Sequence, residues 1–172
     1  MTGAISQMQM VYNAEEDRIL FRVNTTSAQE FRFWITRRYA QLILKVLKEH
    51  IDVDPDVSAQ GTPEGREAVR SFKQEKAAQA ANFNETFNDA ANEMPLGEEA
   101  LLAYRLTYNL REGSLNLGIQ PKEGQGINMA INQEINVSLT RLLLSAAQKG
   151  EWSLVESGAA ATASDQDKRV IN

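Results

Sequence analysis

The chain has no cysteine. That excludes disulfides, thiolate metal sites and cysteine nucleophiles. It has a single histidine, His50, so no histidine pair can bind a metal or relay a proton; its place at the end of a helical run reads as a polar cap. No apolar run approaches the roughly 20 residues that span a bilayer. The opening MTGAISQMQM lacks the basic start and apolar centre of a secretory leader. The expectation is a protein with no membrane segment, in the cytoplasm. Aspartates alternate in DVDPDV at Asp52, Asp54 and Asp56, but Val57 and Pro63 stand where a calcium loop needs glycine and glutamate. The glycines of GTPEG and KEGQG fit neither a P-loop nor a dinucleotide fingerprint. No nucleophile is accompanied by a base. The expectation is a non-enzymatic protein with no catalytic residue, no cofactor and no metal.

At 42% apolar and 24% charged residues over 172 positions, the chain reads as one globular domain, or two small halves sharing a core. The net charge of −5 is unevenly spread. Arg18, Arg22, Arg32, Arg37, Arg38, Lys45 and Lys48 stand against Glu15, Glu16, Asp17, Glu30 and Glu49 in residues 1–50. The first part is therefore locally basic on an acidic molecule.

The two parts also echo one another. Displaced by 96 positions, so that Tyr12 meets Tyr108 and Ile35 meets Ile131, the stretch from Met10 to Leu47 lies without a gap over Leu106 to Leu143. Met10, Ile19, Phe21, Val23, Phe31, Phe33 and Ile35 meet Leu106, Leu115, Leu117, Ile119, Ile127, Met129 and Ile131, apolar in both copies. Alternation predicts strands over 7–12, 18–24 and 30–35, then a helix capped by Thr36; the second copy predicts strands over 102–108, 114–120 and 126–131, then a helix capped by Asn132. The fold class read from this is α+β: two pseudo-symmetric antiparallel sheet-plus-helix repeats (βββα-like) with an inserted helix. Residues 1–156 make one pseudo-duplicated domain, with repeat one at 5–50, a connecting loop and helix at 51–100, and repeat two at 101–149. The connection holds a loop with Pro55, Gly61, Pro63 and Gly65, then a long helix whose sparse apolar stripe is Val69, Phe72, Phe83 and Phe87. Residues 157–172, small and polar, are expected to be a disordered tail.

The strand faces turned away from the helices differ between copies. Copy one carries Arg18, Leu20, Arg22, Arg32 and Trp34; copy two carries Ser114, Asn116, Gly118, Asn128 and Ala130. Arginine beside an exposed aromatic suits single-stranded nucleic acid, by stacking bases and neutralising phosphates. The other reading is that Leu20 and Trp34 are covered, by the central helix or by a partner, while the arginines pair with Glu15, Glu16 and Asp17. Arg37 and Arg38 open the first helix, where the dipole disfavours cations; the second helix has Gln133 and Glu134 there. That inversion gives the two arginines either an anion to hold or acids of the connecting helix to pair with.

In QGINMAINQEINVSLTRLLLSAA a glycine-led strand runs into a helix, which resembles the PC4-like, or whirly, class of single-stranded nucleic-acid binders; Pur-repeat proteins likewise pair two sheet-plus-helix repeats. Copy one has EFRFW in place of the glycine. The blocks AEEDRILFRVNT, EFRFWITRR, QAANF and GQGINM resemble a bacterial family of proteins of uncharacterised function, a likeness that implies no activity. The function expected is a non-catalytic protein-interaction or self-assembly module using the Leu20/Trp34 face, with a protein partner or a homo-oligomer. The alternative is a binder of single-stranded DNA or RNA through Arg18, Arg22, Arg32 and Trp34, helped by Arg37 and Arg38.

Overall fold

The computed structural model describes residues 3–80, 86–89, 93–154 and 170–171. Three strands, β1 (Ile5–Asn13), β2 (Arg18–Thr25) and β3 (Glu30–Ile35), lead into helix α1 (Arg37–Asp52). A short helix α2 (Pro55–Ser58) and a longer α3 (Pro63–Ala80) follow. Then come β4 (Leu101–Leu102), β5 (Arg105–Arg111), β6 (Ser114–Gln120), β7 (Ile127–Ile131), helix α4 (Gln133–Lys149) and β8 (Val170–Ile171). The strands form two four-stranded sheets, ordered β1-β2-β3-β4 and β7-β6-β5-β8. The protein is thus α+β, and each half runs strand, strand, strand, helix.

Local sequence explains the elements. Ile19, Phe21 and Val23 alternate with half-buried Leu20 and Arg22 along β2, the two-residue period of a strand with one face in the core. Thr36 caps α1 by accepting from the Tyr39 amide, and Asn132 caps α4 by accepting from the Ile135 amide. One continuous core takes Phe21, Phe33 and Ile43 from the first half and Leu117, Met129 and Leu143 from the second. The halves interlock: α1 lies against β5 and α4 against β1. Buried Tyr39 of α1 donates its hydroxyl to the Arg105 carbonyl of β5 at 3.0 Å.

The gap-free displacement holds for the second hairpin and fails for the first. Ile19 faces Ile35 and Leu115 faces Ile131, so the β2–β3 and β6–β7 registers agree. Phe21 faces Met10, however, whereas Leu117 faces Tyr108. By strand register, Met10 therefore matches Tyr108 rather than Leu106, a slip of two residues. The cause is loop length. Asn13 pairs Arg18 across Ala14–Asp17, while Arg111 pairs Ser114 across Glu112-Gly113 alone. Both Glu112 and Gly113 have positive φ, as a type I′ hairpin turn requires.

Three other boundaries move. Leu102, expected to begin the first strand of repeat two, belongs with Leu101 to β4, which runs parallel to β3. The helix expected through Phe87 is described as helical to Ala80; Thr86–Asp89 is not helical, and Phe83 lies outside the described residues. Of the tail expected to be disordered, 157–169 and Asn172 lie outside the described residues, and Val170–Ile171 pairs with β5. Among the described residues no helix is long and apolar enough to cross a membrane.

Candidate functional site

The outer face of the first sheet, turned away from the core, is built in cross-strand rows. Val11 faces Leu20, Leu20 faces Trp34, and Trp34 lies beside Leu102. One apolar residue from each of β1, β2, β3 and β4 thus forms a continuous row. Its ends are open, with Val11 47% and Leu102 42% exposed, and Leu20 and Trp34 between them are half-buried. Aligned side chains of this kind form a contiguous apolar strip, unlike scattered surface leucines. Sequence reading found Leu20 and Trp34 and missed Val11 and Leu102. Val11 was legible as an outward position of its strand, but Leu102 enters the sheet only through a parallel pairing that no local pattern announces.

The neighbouring row is polar and locked. Buried Glu30, 2% exposed, accepts from the Nε of Arg22 at 2.9 Å and from the Nε of Arg32 at 2.6 Å, both on the same oxygen. Burial alone would push the Glu30 carboxyl up, but these two charge-assisted bonds outweigh it and hold the group below its ordinary range. Arg22 also donates to Gln9 Oε1 at 3.2 Å and to Asp89 at 2.7 Å. Arg32 donates to the Glu98 carbonyl at 3.1 Å.

A strap of the connecting segment crosses this row. The Phe87 ring, 8% exposed, lies under the Arg22 guanidinium, 4.3 Å from ring centroid to carbon. The Gln7 side chain donates to the Thr86 carbonyl and accepts from the Asn88 amide, and Asn24 donates to the Asn88 carbonyl. The outer face is therefore divided into a strapped polar half around Arg22 and an open apolar half around Trp34. Helix α3 packs against α2 and α4 instead.

The remaining expected residues lie elsewhere. Arg18 is 3.8 Å from Glu16, and both are partly solvated. Asp17, expected as another arginine partner, instead accepts from the Tyr12 hydroxyl at 2.5 Å and from the Trp152 indole at 3.3 Å. Arg37 and Arg38 are exposed at the start of α1, whose first turn holds no acid. The Arg37 guanidinium reaches the Ser153 carbonyl at 3.5 Å, tying the segment after α4 to the start of α1.

Other polar groups are committed to the fold. Lys73 of α3 bridges Asp54 and Asp56 at 2.6 and 2.7 Å, and Arg70 pairs with Asp52 and Glu67. The aspartates of DVDPDV thus dock α3. A depression of about 290 Å³ beside them is lined by Asp52, Val57, Ser58, Arg66 and Arg70. Among the described residues no group of His, Cys, Asp and Glu side chains is placed to hold a metal ion. His50, 1% exposed, is no surface cap. Its Nε2 lies 2.9 Å from the Gly113 carbonyl and its Nδ1 2.8 Å from the Asn136 amide nitrogen. Asn136 donates its other N–H to the Leu47 carbonyl at 3.0 Å, so this network joins α1, α4 and the β5–β6 turn. Burial lowers the His50 pKa, although the Gly113 carbonyl and Asp54 pull it the other way; the neutral ring donates through Nε2 and accepts at Nδ1.

The outer face of the second sheet is small and polar. Asn109, Asn116 and Ala130 make one row, and Thr107, Gly118 and Asn128 the next. A side chain at Gly118 would strike Thr107 Oγ1 at 2.2 Å and Asn128 Oδ1 at 2.8 Å, so the glycine is covered by its neighbours, while Asn109, Asn116, Asn128 and Ala130 leave a small polar face exposed to solvent. No protein-family model, curated protein or solved structure matches the chain.

Proposed function

We propose that the protein is a non-catalytic protein-interaction module that binds through the outer face of its first sheet. The observation that carries this reading is the apolar row Val11–Leu20–Trp34–Leu102, open at both ends beside a polar half held rigid by Glu30. A tryptophan set in a partly solvated apolar strip and rimmed by arginine side chains is the composition of a protein-binding hot spot. Rigidity of the platform reduces the ordering cost on binding. The partner surface is apolar at its centre, with an acceptor at the rim for the partly solvated Arg18.

The alternative, single-stranded nucleic acid, uses the same residues differently. It needs guanidinium groups free to neutralise phosphates, and Arg22 and Arg32 are already matched by Glu30, with Asp89 added on Arg22. Titration with labelled single-stranded oligonucleotides at two salt concentrations separates the readings. The interaction module leaves the oligonucleotide free at both. Binding that weakens steeply with salt and is lost in Trp34→Ala would assign the face to nucleic acid instead.

A further inference from the structure

Among the described residues the longest strand at a sheet edge is β1, nine residues reading ISQMQMVYN, which pairs there with β2 alone. It contains no charged residue, proline or glycine. Edges left to solvent ordinarily carry such residues, because a bare row of peptide groups is a template for another strand. Along β1 Met10 is buried, six residues are half-buried, and Ser6 and Val11 are exposed, and the Trp152 ring packs edge-on against Tyr12, so the strip is partly open to solvent.

Which peptide groups point outward follows from the far side of the sheet. The Glu30 amide donates to the Glu93 carbonyl at 2.8 Å, and the Trp34 carbonyl accepts from the Ala103 amide at 3.0 Å. These residues of β3 therefore turn their peptide groups away from β2. Trp34 faces Leu20, and Leu20 faces Val11. In an antiparallel sheet such pairs alternate, so Leu20 and Val11 exchange the hydrogen bonds of their ladder, and Met8, Met10 and Tyr12 turn theirs to the outside. Among the described residues no backbone bond meets them there.

We propose that this edge is the seam of a homodimer, in which β1 of a second copy adds antiparallel to β1 and the two first sheets become one. A two-fold axis through Met10 sets Met10 against Met10 of the second copy, Met8 against Tyr12, Gln7 against Asn13, and Gln9 against Val11. Every outward-facing peptide group then meets another. The irregularity between Ile5 and Gln7 ends the regular strand at Gln7, and the regular stretch from Gln7 to Asn13 is centred on the same residue. A second copy is the occupant because a two-fold seam sets each side chain near the axis against itself or a close neighbour. Any charge there would meet its own sign, and β1 has none; its core-facing apolar residues meet apolar ones, and Gln7 meets the amide of Asn13. The seam uses backbone along the sheet edge and adjoins the tryptophan-bearing face only at Val11, the β1 end of its row.

The test combines sedimentation equilibrium of the full chain over a concentration series with residue-resolved amide exchange. The mass rises to twice that of the monomer, and the Met8, Met10 and Tyr12 amides slow as concentration increases, while those of Gln9 and Val11 stay constant. Met8→Pro removes one outward N–H without touching the ladder to β2, and weakens the dimer by about tenfold or more, whereas Met8→Ala keeps it. A monomer at every concentration overturns the proposal. So does a dimer that survives in folded Met8→Pro, or one lost in Trp34→Ala whose β1 amides exchange independently of concentration; this last result moves the interface to the outer face. If Met8→Pro does not fold, exchange at the three wild-type amides decides alone.

Discussion

Glu30 is the residue on which the outer face turns. A carboxylate 2% exposed would be costly alone, and two guanidinium groups on one oxygen make it stable. Replacing it by glutamine leaves Arg32 without its carboxylate and Arg22 with Asp89 alone, and Glu30→Gln is expected to cost about 3 kcal/mol, read from denaturant unfolding. His50 and Glu30 also set the dependence on pH. The folded His50 pKa is depressed, so below about pH 6.5 the unfolded chain takes up a proton that the fold refuses, and stability falls until folded His50 itself protonates. The Glu30 pKa is depressed as well; its contribution is full above the ordinary carboxylate range and is lost as pH falls through its folded value. Unfolding free energy should therefore decline in two acid steps. His50→Gln should flatten the upper step and Glu30→Gln should reduce the lower, to which Asp54 and Asp17, whose carboxyls are also held below their ordinary range, contribute as well; a profile unchanged by both would contradict the assignment. Neither role was legible in the sequence. A lone histidine at a helix end reads as a cap, and its buried partners Asn136 and Gly113 lie far along the chain.

Among the elements, hairpins and helices were the most readable. Period-two alternation over 18–24 and 114–120 and the caps Thr36 and Asn132 are local signals, and β2, β6, α1 and α4 stand where those signals put them. The first hairpin was misaligned because apolar alternation is blind to a shift of two residues: Leu106 and Tyr108 serve equally well opposite Met10. The turn decides instead, and Gly113 at positive φ should be sensitive. Gly113→Ala is expected to cost about 1 kcal/mol through its left-handed backbone, as a lower denaturant midpoint with unchanged slope. The strap was misread for a different reason. The stretch 64–89 is rich in Ala, Gln, Glu and Lys, but its end, ANFNETFND, has three asparagines with Thr and Asp, weak helix formers, and Phe87 takes a buried place under Arg22 instead. Phe87→Ala should lower stability by up to about 3 kcal/mol. It should also speed amide exchange at Asn88 and leave that of the α1 amides least affected.

For the whole molecule, the two halves share one core and exchange neighbours, α1 against β5 and α4 against β1. Neither half buries its apolar side alone, so unfolding is expected to be a single cooperative transition. The arrangement turns α1 and α4 inward and leaves two sheet faces outward, one lined by short, exposed polar residues and one bearing the tryptophan row. The basic and aromatic composition of that second face was visible in the sequence. Its division into a locked polar half and an open apolar half was not, because it depends on Glu30, Phe87 and Leu102 arriving from other parts of the chain. Trp34→Ala should lower folding stability by about 2 kcal/mol, less than truncating a fully buried tryptophan, since that side chain is half-buried. The most direct measurement places a photo-crosslinking side chain at Leu20, or at Asn116 on the opposite sheet as control, in the cells that make the protein. The row as a protein-binding surface predicts discrete protein adducts from position 20 that disappear with Trp34→Ala, and none from position 116. Equal labelling from both positions, or no protein adduct from position 20, would contradict it.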